Sequence, residues 1–407
     1  MKILFIGARL FDDVALYAEK KGITTILTES NKKSSNLKLA DSYYIVSRGM
    51  EEPKEIALKE DVDAIIPLIG VDGPLREIAK MKEELERVYG LPVITSGVAA
   101  TSISGDKIKT KEFLTANGIK TPQFSKISEK ISIPESNPPH SEKAFKSLKN
   151  DNSQNISTKE YLKTHLPLVL KQAEGQGGSG VKVASSPSDI DNYFEEVGND
   201  LEETFLEKFI DGIEVSIEVL RYNNKSVPLV PVYKGNTTLE GIHPLNKVKK
   251  APLEIDGINN QQNNQNIREL ADKIANLVGV EGTVDIDLIF DKETKQNYVI
   301  EMNTRPSGTR YITAASTGIN PVQELVNMAL GEWDARKLKK MMKSFSALEI
   351  PVGSYESNRN NYKFRDFPEE NSWIVHGPAN YERVTIRGKT CQDALKNVRN
   401  LNINFKI

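Results

Sequence analysis

Two acidic segments joined by a short polar turn are the part of this chain best suited to chemistry. Thr283-Val-Asp285-Ile-Asp287-Leu-Ile-Phe290 reads as one strand, and Tyr298-Val-Ile-Glu301-Met-Asn303-Thr-Arg305 reads as its return. A period of two puts Asp285 and Asp287 on one face and Val284, Ile286, Leu288 and Phe290 on the other. On the return strand it sets Glu301 and Asn303 opposite Tyr298, Ile300 and Met302. Carboxylates gathered on one face repel each other unless a cation lies between them. Two carboxylates and an amide oxygen suit Mg²⁺, with Mn²⁺ as the alternative; such an ion completes its shell with water and substrate phosphate. The competing reading is a solvated hairpin face. Arg305, one same-face step beyond Asn303, favours a phosphate nearby.

Upstream segments must position that hairpin and supply its partners. Leu168-Val-Leu-Lys171 is an apolar strand, followed by a loop holding Gly175, Gly177, Gly178 and Gly180, and then by Val181-Lys-Val-Ala184. The glycines satisfy G-x-G-x-x-G, yet a strand follows them rather than a helix, so the dinucleotide reading fails on context. Val181 occupies the place of a P-loop lysine, and no His-Arg-Asp or Asp-Phe-Gly run accompanies the loop. A strand–loop–strand flap whose backbone N–H groups approach a polyphosphate fits instead. Further on, Thr204–Glu207 is a strand, Asp211-Gly212 a turn, and Glu214, Ser216 and Glu218 alternate with Val215, Ile217 and Val219. That second strand is either part of a site or an edge strand with a polar face.

The first hundred residues alternate strands (Ile3–Ile6, Ile23–Thr28, Ala64–Leu68) with helices (Asp12–Lys21, Leu75–Tyr89), the rhythm of a parallel α/β sheet. Gly70-Val-Asp72-Gly73 follows a strand end, where open sheets of this kind place ligands. Lys107 opens a helix running to about Asn117. Residues 128–159, rich in Ser, Asn, Lys and Pro, read as a mobile insertion, and Asn259–Asn266 as a polar loop before a helix from Ile267 to Val278. Beyond Trp333 the chain turns basic and helical, then strand-rich, and ends in a short helix near Gln392–Leu401.

The 407 residues suffice for two or three domains, and a net charge of −2 gives no field favouring nucleic acid or an anionic membrane. One cysteine and four scattered histidines exclude a disulfide framework and argue against a Cys- or His-based metal site. The N-terminal apolar run is too short for a signal peptide or membrane span, so a cytoplasmic protein is expected.

In order and spacing, Lys107, Lys171 with its glycine flap, Glu207 to Glu214, and the Asp287/Glu301/Asn303 hairpin resemble the ATP-grasp superfamily over about Ser104 to Trp333. Gly241-Ile-His243 and Thr313-Ala-Ala-Ser-Thr-Gly-Ile-Asn320-Pro are similar to segments of carbamoyl-phosphate synthase large chains. The Glu-x-Ser-x-Glu strand is shared with amino-acid ligases such as the pyrrolysine-pathway ligase.

This resemblance implies a parallel-sheet α/β domain over 1–103, an ATP-grasp domain with two α+β lobes over 104–335, and a small C-terminal α+β appendage over 336–407. It implies that Lys107, Lys171 and the flap glycines Gly177 and Gly178 hold ATP phosphates. Glu207, Lys208, Phe209 and Ile210 would take adenine, and Glu214 the ribose. Asp287, Glu301 and Asn303 would ligate Mg²⁺, with Arg305, Lys171 and His243 beside the transferred phosphoryl. Arg310 would clamp a substrate carboxylate.

Carbamoyl-phosphate synthases have arginine where this chain has Lys171, glutamine where it has Asp287, and paired ATP-grasp units. The expectation is therefore an ATP-dependent carboxylate–amine ligase acting on a small acid and an amine, with a homodimer compatible. A bicarbonate-using carboxylase or carbamoyl-phosphate-synthase-like enzyme is the alternative, and a non-catalytic ATP-binding regulator the third reading.

Overall fold

The computed structural model describes residues 1–126, 130–132, 155–157, 162, 166–173, 180–197, 204–239, 246–353, 367–378 and 380–401. Strands β1 (Lys2–Ile6), β2 (Thr24–Glu29), β3 (Ser42–Ile45) and β4 (Ala64–Pro67) form a parallel sheet in the order β3-β2-β1-β4. Alternation along β1 sends Ile3 and Phe5 into one apolar cluster and Leu4 and Ile6 into another. Both faces are thus buried, as a parallel sheet requires. The first cluster also contains Val322, Leu325 and Val326 of the helix Pro321–Ala329, which packs this sheet onto the rest of the molecule.

The expected helix Asp12–Lys21 is interrupted. A 3₁₀ turn spans Phe11–Asp13 and the α-helix begins only at Ala15. That turn buries Asp13, whose carboxylate pairs with Arg310.

A second sheet orders β5 (Phe124–Lys126), β10 (Thr204–Lys208), β8 (Leu168–Gln172) and β9 (Val181–Ala184). Within the 128–159 insertion, β6 (Lys130–Ser132) pairs antiparallel with β7 (Asn155–Ser157), and the remainder of the insertion lies outside the described residues.

The third sheet has nine strands. Its path is β16 (Asn297–Asn303), β15 (Gly282–Asp291), β11 (Gly212–Tyr222), β13 (Val232–Asn236), β14 (Lys249–Ala251), β17 (Ser346–Gly353), β19 (Glu382–Gly388) and β18 (Trp373–His376), with β12 (Lys225–Pro228) paired to β11. β11 is therefore a central strand, not an edge. Val215, Ile217 and Val219 bury one face of it with Val284, Ile286 and Leu288, which leaves the polar residues of both strands to line the other. The C-terminal α+β segment is hydrogen-bonded onto this sheet through the β14–β17 pairing.

Two further local expectations fail. The Asn259–Asn266 tract is not a loop but the first turns of a helix, Asn260–Val278. Asn259 caps it by accepting from the Gln262 N–H. Side-chain bonds at i, i+4, Gln262 to Asn266 and Gln265 to Glu269 (both 2.8 Å), extend the helix along its exposed side. Ile267, Ala271 and Ile274 then bury its apolar stripe in the core. The even alternation of β16 is also broken. Its register with β15 shifts between Asp287 and Leu288, so Asp287 faces Glu301 while Leu288 faces Val299. Val299 joins Met302 in the core and Ile300 is released to the pocket side.

Candidate active site

Between the second and third sheets lies a cavity of about 240 Å³. Its walls include Lys107, Lys171, Glu207, Lys208, Phe209, Ile210, Glu214, Asp287, Glu301, Asn303 and Arg305. Eleven residues expected at an ATP site from separate parts of the sequence thus meet around one space. Gly177, Gly178 and His243 lie outside the described residues.

Each wall has a local cause. Lys107 opens the helix Lys107–Ala116, which Asp106 caps by accepting from the N–H groups of Ile108 (2.9 Å) and Lys109 (3.0 Å). The backbone N–H of Lys107 donates to the Ala173 carbonyl, tying the helix to the end of β8. Lys171 projects from β8 and donates to Glu207 Oε1 at 2.8 Å across the β8–β10 pairing. Lys111, one helical turn beyond Lys107 and fully buried, meets the other carboxylate oxygen of Glu207 at 2.5 Å. Burial acts to raise the Glu207 carboxyl, but Lys111 and Lys171 outweigh it and hold the group below its ordinary value. Glu207 therefore serves first as the counter-ion that aims Lys171. Glu214, at the start of β11, accepts from Lys247 Nζ at 2.6 Å.

The acidic face forms as the register dictates. Asp287 faces Glu301 and Asp285 faces Asn303 across the β15–β16 pair. Asp285 is saturated by hydroxyl donors, Ser216 on one oxygen and Ser307 (2.8 Å) on the other, and it borders a neighbouring chamber. Asp287 instead faces the cavity of about 240 Å³, where Lys234 of β13 donates to it at 2.6 Å. Burial raises the Asp287 carboxyl, and Asp285 adds to this against Lys234. Among the described residues no cluster of three or more His, Cys, Asp or Glu side chains could hold a metal alone. The set Asp287, Glu301 and Asn303 is all hard oxygen, faces one cavity and leaves coordination places for phosphate oxygens, which fits Mg²⁺.

Arg305 donates through Nε to Asp72 Oδ1 at 2.6 Å, joining the loop after β4 to the site. Lys234 and Arg305 also border the adjacent chamber, of about 1390 Å³, which opens toward the first sheet. Arg310 lines that chamber with its Nε bound to Asp13 at 2.6 Å and its guanidinium over the Tyr311 ring.

Sequence reasoning missed Lys234, Lys111 and Asp13. The i, i+4 spacing of Lys107 and Lys111 was a usable signal. Lys234 offered only a lysine in a short strand, and Asp13 only a carboxylate in a helix that turned out to be irregular.

The chain is similar to several known proteins. The family profile for the carbamoyl-phosphate synthase L chain, ATP binding domain, matches residues 135–336. A carbamoyl-phosphate synthase of Methanobrevibacter smithii is 45% identical over 401 residues, covering 98% of this chain and 100% of that protein. A D-alanine–D-alanine ligase of Carboxydothermus hydrogenoformans is 26% identical over 281 residues, covering 67% of this chain and 80% of the ligase. In fold, the chain matches the biotin carboxylase domain of Hydrogenobacter thermophilus 2-oxoglutarate carboxylase at 18% identity. That match has a TM-score of 0.70 and covers 100% of this chain and 90% of that one. That structure is a dimer containing MgADP and bicarbonate.

The chain belongs to the ATP-grasp superfamily of ligases. Within it, the full-length relative places the chain with the carbamoyl-phosphate-synthase-like members, and it is an ATP-grasp enzyme that uses ATP with Mg²⁺.

Proposed function

We propose that the protein is a carboxylate–amine ligase that phosphorylates a small organic acid and joins it to an amine. The observation that carries this reading is the chamber beside the nucleotide cavity. It shares Lys234 and Arg305 with that cavity and is far larger than bicarbonate requires. In this reading a carboxylate oxygen of the acid attacks the γ-phosphorus as the bond to ADP breaks. Lys107 and Lys171 neutralise the phosphates, Arg305 lies at the transferred group, and Asp287, Glu301 and Asn303 hold Mg²⁺. When bound there, the ion would supply charge neutralisation for the phosphates. The amine then attacks the acyl carbon, the carbon–oxygen bond to phosphate breaks, and the nitrogen's proton leaves with phosphate. Lys234, which borders both cavities, would meet developing charge on the phosphoryl oxygens.

A second reading, activation of bicarbonate, is favoured by the full-length similarity to a carbamoyl-phosphate synthase. ADP release measured against acids, amines and bicarbonate separates the two. The ligase reading expects release only when an acid and an amine are both present. Release that answers to bicarbonate alone overturns it. We also propose a homodimer, as in the Hydrogenobacter structure, which sedimentation would test.

Among the described residues no helix is long and apolar enough to cross a membrane.

A further inference from the structure

One wall of the large chamber holds cations whose charge the phosphoryl-transfer machinery does not use. Lys249 on β14, His376 on β18 and Arg383 on β19 border the chamber around the fully buried Glu349 of β17. Glu349 accepts from Lys249 Nζ at 2.6 Å and from Arg383 at 2.9 Å, with Thr385 at 3.3 Å. Burial lowers His376 to about 4, so it is neutral; its Nε2 meets the Thr385 hydroxyl at 2.7 Å and its ring stacks on Tyr311.

The charge balance differs from elsewhere in the chamber. Lys234, Arg305 and Arg310 each have a carboxylate of their own, Asp287, Asp72 and Asp13. Lys249 and Arg383 share one, Glu349. Among the described residues Arg383 Nε is buried with no hydrogen-bond partner, and Glu382, which also borders the chamber and has its own Oε2 unpartnered, forms no ion pair with either cation. Two buried cations on one carboxylate leave a positive charge that an anion from the chamber would satisfy, and a guanidinium edge suits a carboxylate.

The geometry points to a second carboxylate-binding subsite at Lys249 and Arg383, so that the acid substrate is a dicarboxylic acid anchored at one end and phosphorylated at the other. This rests on the carboxylate–amine ligase reading and narrows it to a substrate class. A strand-to-strand staple alone would need one cation for Glu349, not two, and would not have to border the chamber.

The test is binding to the full chain in the presence of MgADP. Succinate, glutarate and adipate are each compared with the monocarboxylate of equal carbon number. Wild type should bind at least one of the diacids tenfold or more tightly than its monocarboxylate partner, and Arg383→Gln should bring the two within twofold. An unchanged MgADP affinity shows that the variant has kept its nucleotide site. Lys249→Gln serves in its place if Arg383→Gln does not fold. No diacid preference at any of the three lengths in wild type, or a preference unmoved by the folded variant, overturns the subsite. These outcomes are independent of turnover: ADP release on bicarbonate alone would sink the ligase reading, whereas equal binding of diacid and monoacid sinks only the subsite.

Discussion

Lys234 and Asp287 form a 2.6 Å ion pair at the border between the nucleotide cavity and the large chamber. Burial acts to lower Lys234, yet Asp287 and Asp285 outweigh it and hold the ammonium charged, so the lysine occupies the acidic face as a resident cation. Replacing it with methionine leaves the partly buried Asp287 without its lysine, at a cost of about 1–3 kcal/mol, below that of breaking a fully buried pair. Thermal melting should fall, and millimolar Mg²⁺ should restore more of the loss in Lys234→Met than it adds to wild type. An equal magnesium response in the two proteins would show that Asp287 does not bind the ion.

Glu301 faces Asp287 across the strand pair and borders the nucleotide cavity. Glu301→Gln keeps the shape and removes the charge. Substrate-dependent ADP release should drop by on the order of a hundred- to a thousandfold, with little change in melting because the residue is only partly buried. Unchanged turnover would remove Glu301 from the metal set.

Gly212 begins β11 just after Glu207–Ile210, the segment proposed for adenine, and a Cβ there would clash with the Phe290 carbonyl oxygen. Gly212→Ala must push β11 from β15, costing about 1–3 kcal/mol. Because that strand start also carries Glu214, MgADP binding should weaken with the loss of stability. Calorimetric melting and nucleotide titration would check both effects together.

Glu218, fully buried and facing Asp285 across the β11–β15 register, has its carboxyl raised to about 8, by burial first and by Asp285 second. A group whose folded value lies above its ordinary 4.5 contributes stability that is complete below pH 4.5 and lost as pH rises toward 8. Glu218→Gln mimics the protonated acid at every pH. The variant should therefore gain melting temperature over wild type at pH 8 and match it near pH 5. A gain independent of pH would contradict the raised carboxyl.

What the sequence disclosed follows the range of the interactions involved. The hairpin face, the strand carrying Lys171 and the helix opened by Lys107 rest on period-two alternation, glycine placement and capping, all local signals. The pairings Lys234–Asp287, Arg305–Asp72 and Arg310–Asp13 are set by strand order and by the docking of the first sheet, which no local pattern encodes. Glu207 illustrates the limit: the family resemblance implied a role at adenine, but only packing shows it clamped between Lys111 and Lys171. The helical Asn259–Asn266 tract failed for a related reason. Its composition favours a loop, and its side-chain ladder and the burial of the next two turns override that preference.

The central claim is that a carboxylate is activated by direct phosphorylation, and oxygen-18 tests it most directly. An acid that supports turnover is labelled in its carboxylate oxygens, and the inorganic phosphate is analysed by mass spectrometry. An acyl-phosphate route predicts one oxygen-18 transferred to phosphate for each amide formed. Phosphate free of the label, with amide still accumulating, would contradict the account.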